Sequence, residues 1–306
     1  MTKTAFLFAG QGAQYLGMGK DLYDLYPIVK ETIDKASKIL GYDLRQLIDQ
    51  EENKLNQTRY TQPAILATSV AIYRLLVEKG LKPDMVAGLS LGEYSALVAS
   101  GALDFEAAIA LVAKRGVYME EAAPAGSGKM VAVLNTPVDV IEEACQKASE
   151  FGVVTPANYN TPNQIVIGGE VAAVDRAVEL LKEAGTKRIL PLNVSGPFHT
   201  ALLEPASQKL AEVLTEVQFN DFNCPLVGNT EAKIMEKDRI AELLTRQVKE
   251  PVRFYEIIAL MTEAGVTRFI EVGPGKVLSG FVKKIDRTAD LANVEDQASL
   301  ETLINN

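Results

Sequence analysis

The chain has 306 residues, 47% apolar and 23% charged, which allows one large domain with a smaller insert and excludes wholesale disorder. Its formal net charge of −9 argues against general nucleic-acid binding. No apolar run approaches membrane-spanning length, residues 1–10 hold too short an apolar run for a signal peptide, and Cys145 and Cys224 lie too far apart for a metal or redox motif. The expectation is a cytoplasmic, reduced setting with no membrane, no nucleic acid and no metal.

Residues 4–9 read as a short buried strand ended by Gly10-Gln11-Gly12-Ala13-Gln14. Helical spacing is clearest over 62–79, where Ile65, Leu66, Ile72, Leu75 and Leu76 recur and Gly80 takes the C-terminal capping place. Residues 85–89 form a second strand that runs into Ser90 and a helix over 91–100. Asp104 is placed to cap a further helix through about residue 121, with Glu106 in its first turn.

The rhythm then changes. Residues 122–128 look like a linker. Strands are predicted at 129–135, 153–158, 164–168 and 187–194, and helices at 138–149 and 171–184, with Asn160-Thr161-Pro162-Asn163 joining the middle strands. The order βαββαβ is that of a ferredoxin-like unit. Beyond it, helices alternate with strands near 225–228 and 267–272, the last ending in Gly273-Pro274-Gly275, and residues 287–306 are polar and weakly helical. The fold class is therefore α/β: an α/β-hydrolase-like large domain with a parallel sheet, at 1–126 and 195–306, interrupted by a smaller ferredoxin-like βαββαβ subdomain at 127–194.

Strand, Gly88-Leu89-Ser90-Leu91-Gly92, helix is the context of a nucleophile elbow, in which small flanking residues let the chain turn sharply and lift the serine hydroxyl. The Leu91 amide then sits at a helix N-terminus, which favours an oxyanion. A glycine-rich turn with an idle serine is the bland alternative. A serine nucleophile needs a base, and the chain has one histidine, His199, in Ser195-Gly196-Pro197-Phe198-His199-Thr200 at a strand-to-helix junction. A lone histidine is more often structural than catalytic, and its place at such a junction raises the catalytic reading. Arg115, on the helix opened by Asp104, has the chemistry to hold a substrate carboxylate, although spacing alone reads as a surface arginine. A backbone amide near Gln11 and Gln14 is placed to complete an oxyanion hole. The clusters Lys187-Arg188 and Lys283-Lys284 with Arg287 read as solvated faces, or as a basic rim for an acidic partner.

Taken in order, Phe8-Ala9-Gly10-Gln11-Gly12-Ala13-Gln14, Thr61-Gln62-Pro63-Ala64, Gly88-Leu89-Ser90-Leu91-Gly92-Glu93-Tyr94, Arg115-Gly116, Asn158-Tyr159-Asn160-Thr161-Pro162, Gly196-Pro197-Phe198-His199, and Gln247 with Pro251-Val252 resemble the malonyl-CoA:acyl carrier protein transacylases of fatty acid synthesis, up to about residue 285. The resemblance implies Ser90 as the acylated nucleophile, His199 as general base and acid, the Gln11 and Leu91 amides as oxyanion hole and Arg115 as clamp for the malonyl carboxylate. It further implies that Gln247 orients His199 through a backbone carbonyl, and that Gln62 and Asn160 line the pocket. Phe198 would crowd a branched acyl group. No permanently bound cofactor is implied; malonyl-CoA is the donor and the phosphopantetheine of acyl carrier protein the acceptor. Many relatives carry His where this chain has Leu89, which leaves His199 as the sole imidazole.

Two other readings use the same residues. A serine esterase or thioesterase would share Ser90 and His199 and take an acid between them, for which Asp104, Asp139 and Asp175 have the right order. A docking domain that kept the fold would need neither.

Overall fold

An apolar run covered on both faces belongs in the middle of a parallel sheet, and Lys3–Phe8 is such a run, fully buried from Ala5 onward. The computed structural model describes residues 2–124, 126–192, 194 and 196–305. Ala125 of the expected linker, Asn193 of the expected strand at 187–194 and Ser195, which opens the His199 segment, lie outside the described residues.

The strands are β1 (Lys3–Phe8), β2 (Met85–Gly88), β3 (Lys129–Leu134), β4 (Val154–Thr161), β5 (Gln164–Gly169), β6 (Arg188–Pro191), β7 (Val266–Val272) and β8 (Asp290–Val294). Four of them form a parallel sheet in the order β2-β1-β7-β8. Successive side chains point to opposite faces. Phe6, Phe8, Val86, Ile270 and Val272 join the core under the Thr58–Glu78 and Phe105–Ala122 helices. Ala5, Leu7, Ala87 and Phe269 face the other way, into a core shared with the Phe254–Glu263 and Val277–Ile285 helices.

The second sheet is antiparallel, in the order β4-β5-β3-β6, which is the ferredoxin-like arrangement. Val131, Val133, Ile165 and Ile167 face the Val138–Ala148 and Val171–Glu183 helices in a core of their own, whereas Met130, Ala132 and Val166 face the large core. Alternation along β3 and β5 thus gives the small sheet a private face and a shared one.

Several expectations need correction. The helix predicted at 62–79 begins four residues earlier, as Thr58–Glu78, and carries Pro63 within it. Asp104 occupies the N-cap position of the Phe105–Ala122 helix, but its carboxylate accepts from Asn220 Nδ2 at 3.1 Å and caps no amide. Asn160 and Thr161 are not connector: they extend β4, leaving Pro162 and Asn163 as the turn. The stretch near 225–228 makes isolated bridges, Val86 with Leu226 and Val227 with Ile234, rather than a strand. Residues 290–294, expected to be weakly helical, are the edge strand β8. Edge strands are short and half-covered, so they lack the continuous apolar run that marks a buried strand. The terminal helix, Gln297–Asn305, is present.

Candidate active site

Strand β2 ends at Gly88 and the chain turns through Ser90 into the Gly92–Ala99 helix. The turn is tight because two glycines make room for it. A Cβ on Gly88 would lie 2.0 Å from the Gly92 carbonyl carbon, and one on Gly92 would lie 2.0 Å from the Phe8 oxygen. Ser90 itself has φ 55, left-handed for a residue with a side chain, and His199 has φ 59. They are two of the four described non-glycine residues with positive φ, and such strain collects at functional sites.

The two side chains meet. His199 Nε2 lies 2.8 Å from Ser90 Oγ, and His199 Nδ1 lies 2.7 Å from the backbone oxygen of Gln247. A carbonyl only accepts, so Nδ1 carries the proton and Nε2 presents its lone pair to the serine hydroxyl. Burial, with the Arg115 charge as the second cause, pulls the His199 pKa down to about 4, so the ring is neutral at physiological pH.

Arg115 is not the surface residue that spacing suggested; it is 1% exposed, the largest fully buried side chain in the chain. Its Nη1 donates to Gln62 Oε1 at 2.8 Å, and its Nη2 donates to Gln247 Oε1 at 2.9 Å and to Ser90 Oγ at 3.3 Å. The Tyr94 ring lies 5.1 Å beneath the guanidinium carbon. Gly116 permits this arrangement, since a Cβ there would come within 2.9 Å of the Arg59 Cα and the Thr58 oxygen, driving apart the helices that carry Arg115 and Gln62.

A cavity of about 380 Å³ opens beside Ser90 and His199. Gln62, Asn160 and Phe198, the positions the resemblance gave to a pocket, line it, with Gln11, with Met130 and Val166 of the small sheet and with Phe281 of the Val277–Ile285 helix. The Asn160 Oδ1 and Gln11 Oε1 atoms are buried with no hydrogen-bond partner among the described residues. Leu91 is fully buried as a side chain, and among the described residues no hydrogen bond within the protein engages its amide or that of Gln11. The acids considered as third members of a triad are elsewhere: Asp104 binds Asn220, Asp139 is exposed in the first turn of the Val138–Ala148 helix, and Asp175 pairs with Lys129. Burial pushes the Cys145 and Cys224 thiols up to about 12 and about 11, so neither competes as a nucleophile.

Two residues at the centre were not anticipated as site residues. Glu93, 1% exposed, accepts from the Asn229 amide at 2.7 Å and from Gln247 Nε2 at 2.8 Å. Asn229 Oδ1 accepts the Ser90 N–H at 2.7 Å. A signal for Glu93 existed: it is the only charged residue on the Gly92–Ala99 helix, whose sequence has no solvent-facing polar stripe, and a helix without one is a buried one. Asn229 has no comparable local signature.

A family model described as Acyl transferase domain matches residues 5–306. The chain is 47% identical over 307 aligned residues to the malonyl CoA-acyl carrier protein transacylase of Bacillus subtilis (strain 168), covering 99% of this chain and 97% of the relative. It is 82% identical to MCAT from Streptococcus pneumoniae, known from a crystal structure, with a TM-score of 0.98 and 99% of each chain covered. It is 47% identical, with a TM-score of 0.96 and 100% of each chain covered, to a malonyl-transacylase solved in complex with its type II PKS acyl-carrier protein.

Proposed function

The chain belongs to the acyl transferase domain family, and from that premise we propose that it moves the malonyl group of malonyl-CoA onto the phosphopantetheine thiol of acyl carrier protein through a malonyl ester on Ser90. One observation carries the reading: a single serine hydroxyl lies 2.8 Å from a neutral imidazole nitrogen and 3.3 Å from a buried guanidinium. The imidazole takes a proton, and the guanidinium fits a substrate that brings its own carboxylate.

In the first half-reaction Ser90 Oγ attacks the thioester carbon while its proton passes to His199 Nε2. The amides of Gln11 and Leu91 receive the carbonyl oxygen as it becomes an oxyanion. The C–S bond breaks, and the departing sulfur of coenzyme A takes the proton from His199. In the second, the carrier thiol gives its proton to His199 and attacks the ester, and Ser90 Oγ leaves and recovers the proton. Gln247 holds the imidazole tautomer with its main-chain oxygen, so no third acid is needed. Of the three Arg115 contacts, the longest is the one to Ser90 Oγ, and the malonyl carboxylate takes its place. Gln62 steadies the guanidinium, and Asn160 and Phe198 shape the rest of the pocket. This chemistry calls on no bound metal or redox group.

The cleft takes residues from both sheets, which is the role we give the ferredoxin-like unit at 127–194 beside a catalytic domain at 1–126 and 195–306. Among the described residues no helix is long and apolar enough to cross a membrane, and we propose a cytoplasmic enzyme that supplies fatty acid synthesis. The esterase reading is disfavoured by the carbonyl at His199 Nδ1 and by the buried arginine at the nucleophile.

The test is intact-mass measurement after mixing with malonyl-CoA and no acceptor. A malonyl adduct should accumulate on the parent chain, be absent from Ser90→Ala, and discharge when carrier protein bearing its phosphopantetheine is added. Steady release of free malonate without an adduct would favour the hydrolase.

A further inference from the structure

Side chains, not sheet ladders, grip the main chain of the nucleophile. The Ser90 N–H donates to Asn229 Oδ1 at 2.7 Å, and the Ser90 carbonyl accepts from Gln247 Nε2 at 2.8 Å as well as from the Glu93 N–H of its own turn at 3.0 Å. Asn229 is fixed three times more: its Nδ2 donates to the Gly88 carbonyl at 2.6 Å, its backbone N–H donates to Glu93 Oε1 at 2.7 Å and its backbone carbonyl accepts the Arg253 N–H at 3.0 Å. Gln247 Nε2 also donates to Glu93 Oε2 at 2.8 Å. Both grips therefore end on the two oxygens of one buried carboxylate, three residues after the nucleophile.

The amide of Gln247 has one possible orientation. The Ser90 carbonyl and the Glu93 carboxylate accept, whereas Arg115 only donates, so the amide nitrogen faces the first two and its oxygen faces Arg115. The backbone oxygen of the same residue holds His199 Nδ1. One glutamine thus touches the nucleophile, the base and the arginine, and Glu93 is the group that fixes it from behind.

We infer that Glu93 is a positioning residue for acyl transfer, its carboxylate holding Asn229 and Gln247 in the orientation that keeps the left-handed Ser90, the His199 ring and the Arg115 guanidinium in register. The inference rests on the assignment of Ser90 as nucleophile made above. A neutral isostere cannot do the same work. Glutamine at 93 keeps an acceptor for the Asn229 N–H but turns an NH₂ toward the NH₂ of Gln247, leaving buried donors face to face. Aspartate keeps the charge but is one methylene too short to reach both partners.

The charge facing Glu93 is that of Arg115, from the Phe105–Ala122 helix; Tyr94, beside it in sequence, and His199, reached through Gln247, are the other titratable groups of the cluster. Burial pushes the Glu93 carboxyl up to about 7 against the pull of the Asn229 and Gln247 hydrogen bonds and of Arg115. In the free enzyme, acidification through neutrality protonates it and weakens both grips, while His199, with a pKa near 4, stays a free base.

The experiment is single-turnover malonylation followed by intact mass, from about pH 5 to about pH 9, on the parent, Glu93→Gln and Glu93→Asp, with thermal melting of each. In the parent the acylation rate at malonyl-CoA well below half-saturation, which reads the free enzyme, should rise through a step near pH 7. In Glu93→Gln that step should vanish. Its rate at saturating malonyl-CoA should fall about tenfold or more, with half-saturation moving by less than about threefold. Glu93→Asp should keep a titrating step at a rate lowered about fivefold or more, and it carries the test if Glu93→Gln does not fold. A Glu93→Gln that acylates within about twofold of the parent, or that slows but retains the step, overturns the proposal; so does a Glu93→Asp with the parent rate. A malonyl adduct still forming on Ser90→Ala would instead condemn the nucleophile assignment.

Discussion

Arg115 is a permanent cation sealed in the core, and the proposed mechanism pairs it with the carboxylate of an incoming malonyl group. An acetyl group leaves it unpaired. Arg115→Ala should therefore cost malonyl transfer about 3–5 kcal/mol, roughly two to four orders of magnitude in kcat/KM, while acetyl transfer holds or rises. Competition between the two thioesters measures this, and equal losses for both would refute the clamp. The same arginine sets a pH dependence. Its charge is the second cause of the low His199 pKa, so the free enzyme should lose its base only near pH 4. A bound malonyl carboxylate cancels that charge, and the His199 pKa rises in the complex. The His199 limb of the kcat profile should therefore lie at higher pH than that of kcat/KM, and Arg115→Ala should raise the kcat/KM limb measured with acetyl-CoA. Coincident limbs would mean that the carboxylate is bound elsewhere. The burial of Arg115 was readable after all. Phe105, Ala108, Val112, Arg115 and Met119 recur at helical spacing on one buried stripe, and the arginine lies within it. The Ser90–His199 pairing was readable from a single histidine and a single strand–turn–helix motif. Asn229 was not, because its contacts with Ser90 and Glu93 span more than a hundred residues and no local pattern marks it.

Two glycines on helices make opposite predictions from one substitution. Gly92 begins the Gly92–Ala99 helix against β1, where a Cβ would sit 2.0 Å from the Phe8 oxygen and 2.8 Å from its carbonyl carbon, both rigid backbone. Gly92→Ala should lose about 3 kcal/mol or more and displace Ser90. Gly280 lies inside the exposed face of the Val277–Ile285 helix, with nothing within 4 Å of a new Cβ. Gly280→Ala should gain about 0.5–1 kcal/mol through helix propensity alone. Urea midpoints of the two variants decide both, and a shift in the same direction would contradict the packing described. Elements were legible wherever burial imposed a strong period. The alternation in β3 and β5 and the helical stripes of Val138–Ala148 and Val171–Glu183 disclosed the βαββαβ unit. Strand β8 stayed hidden because only Val294 in it is fully buried, and the rest of Asp290–Val294 reads as polar linker. The bridges around Leu226 were over-read as a strand, since a buried apolar run needs only one pairing to be satisfied there.

The two sheets are joined beside the Ser90–His199 pair. Val252 bridges β4 in parallel, its N–H donating to the Ala157 oxygen at 3.0 Å and its own oxygen accepting the Tyr159 N–H at 2.8 Å. Five residues earlier in the same segment is Gln247, which holds His199, and the Val248 oxygen accepts the His199 N–H at 3.2 Å. The small sheet is thus docked through the strap that positions the base, but the face under its two helices packs separately. Its stability should be partly separable from that of the Ser90 turn. Leu181 is fully buried in that private core, and Leu181→Ala should cost about 2–5 kcal/mol by leaving a cavity. Amide hydrogen exchange of this variant should accelerate throughout β3 to β6 while β1 and β2 keep the parent protection. Acylation of the molecules that remain folded should proceed at nearly the parent rate, because among the described residues no side chain hydrogen-bonded to Ser90 Oγ comes from the small sheet. Exchange that quickens equally in β1 would show one cooperative unit, in which case the small sheet could not open without melting the strap and releasing His199.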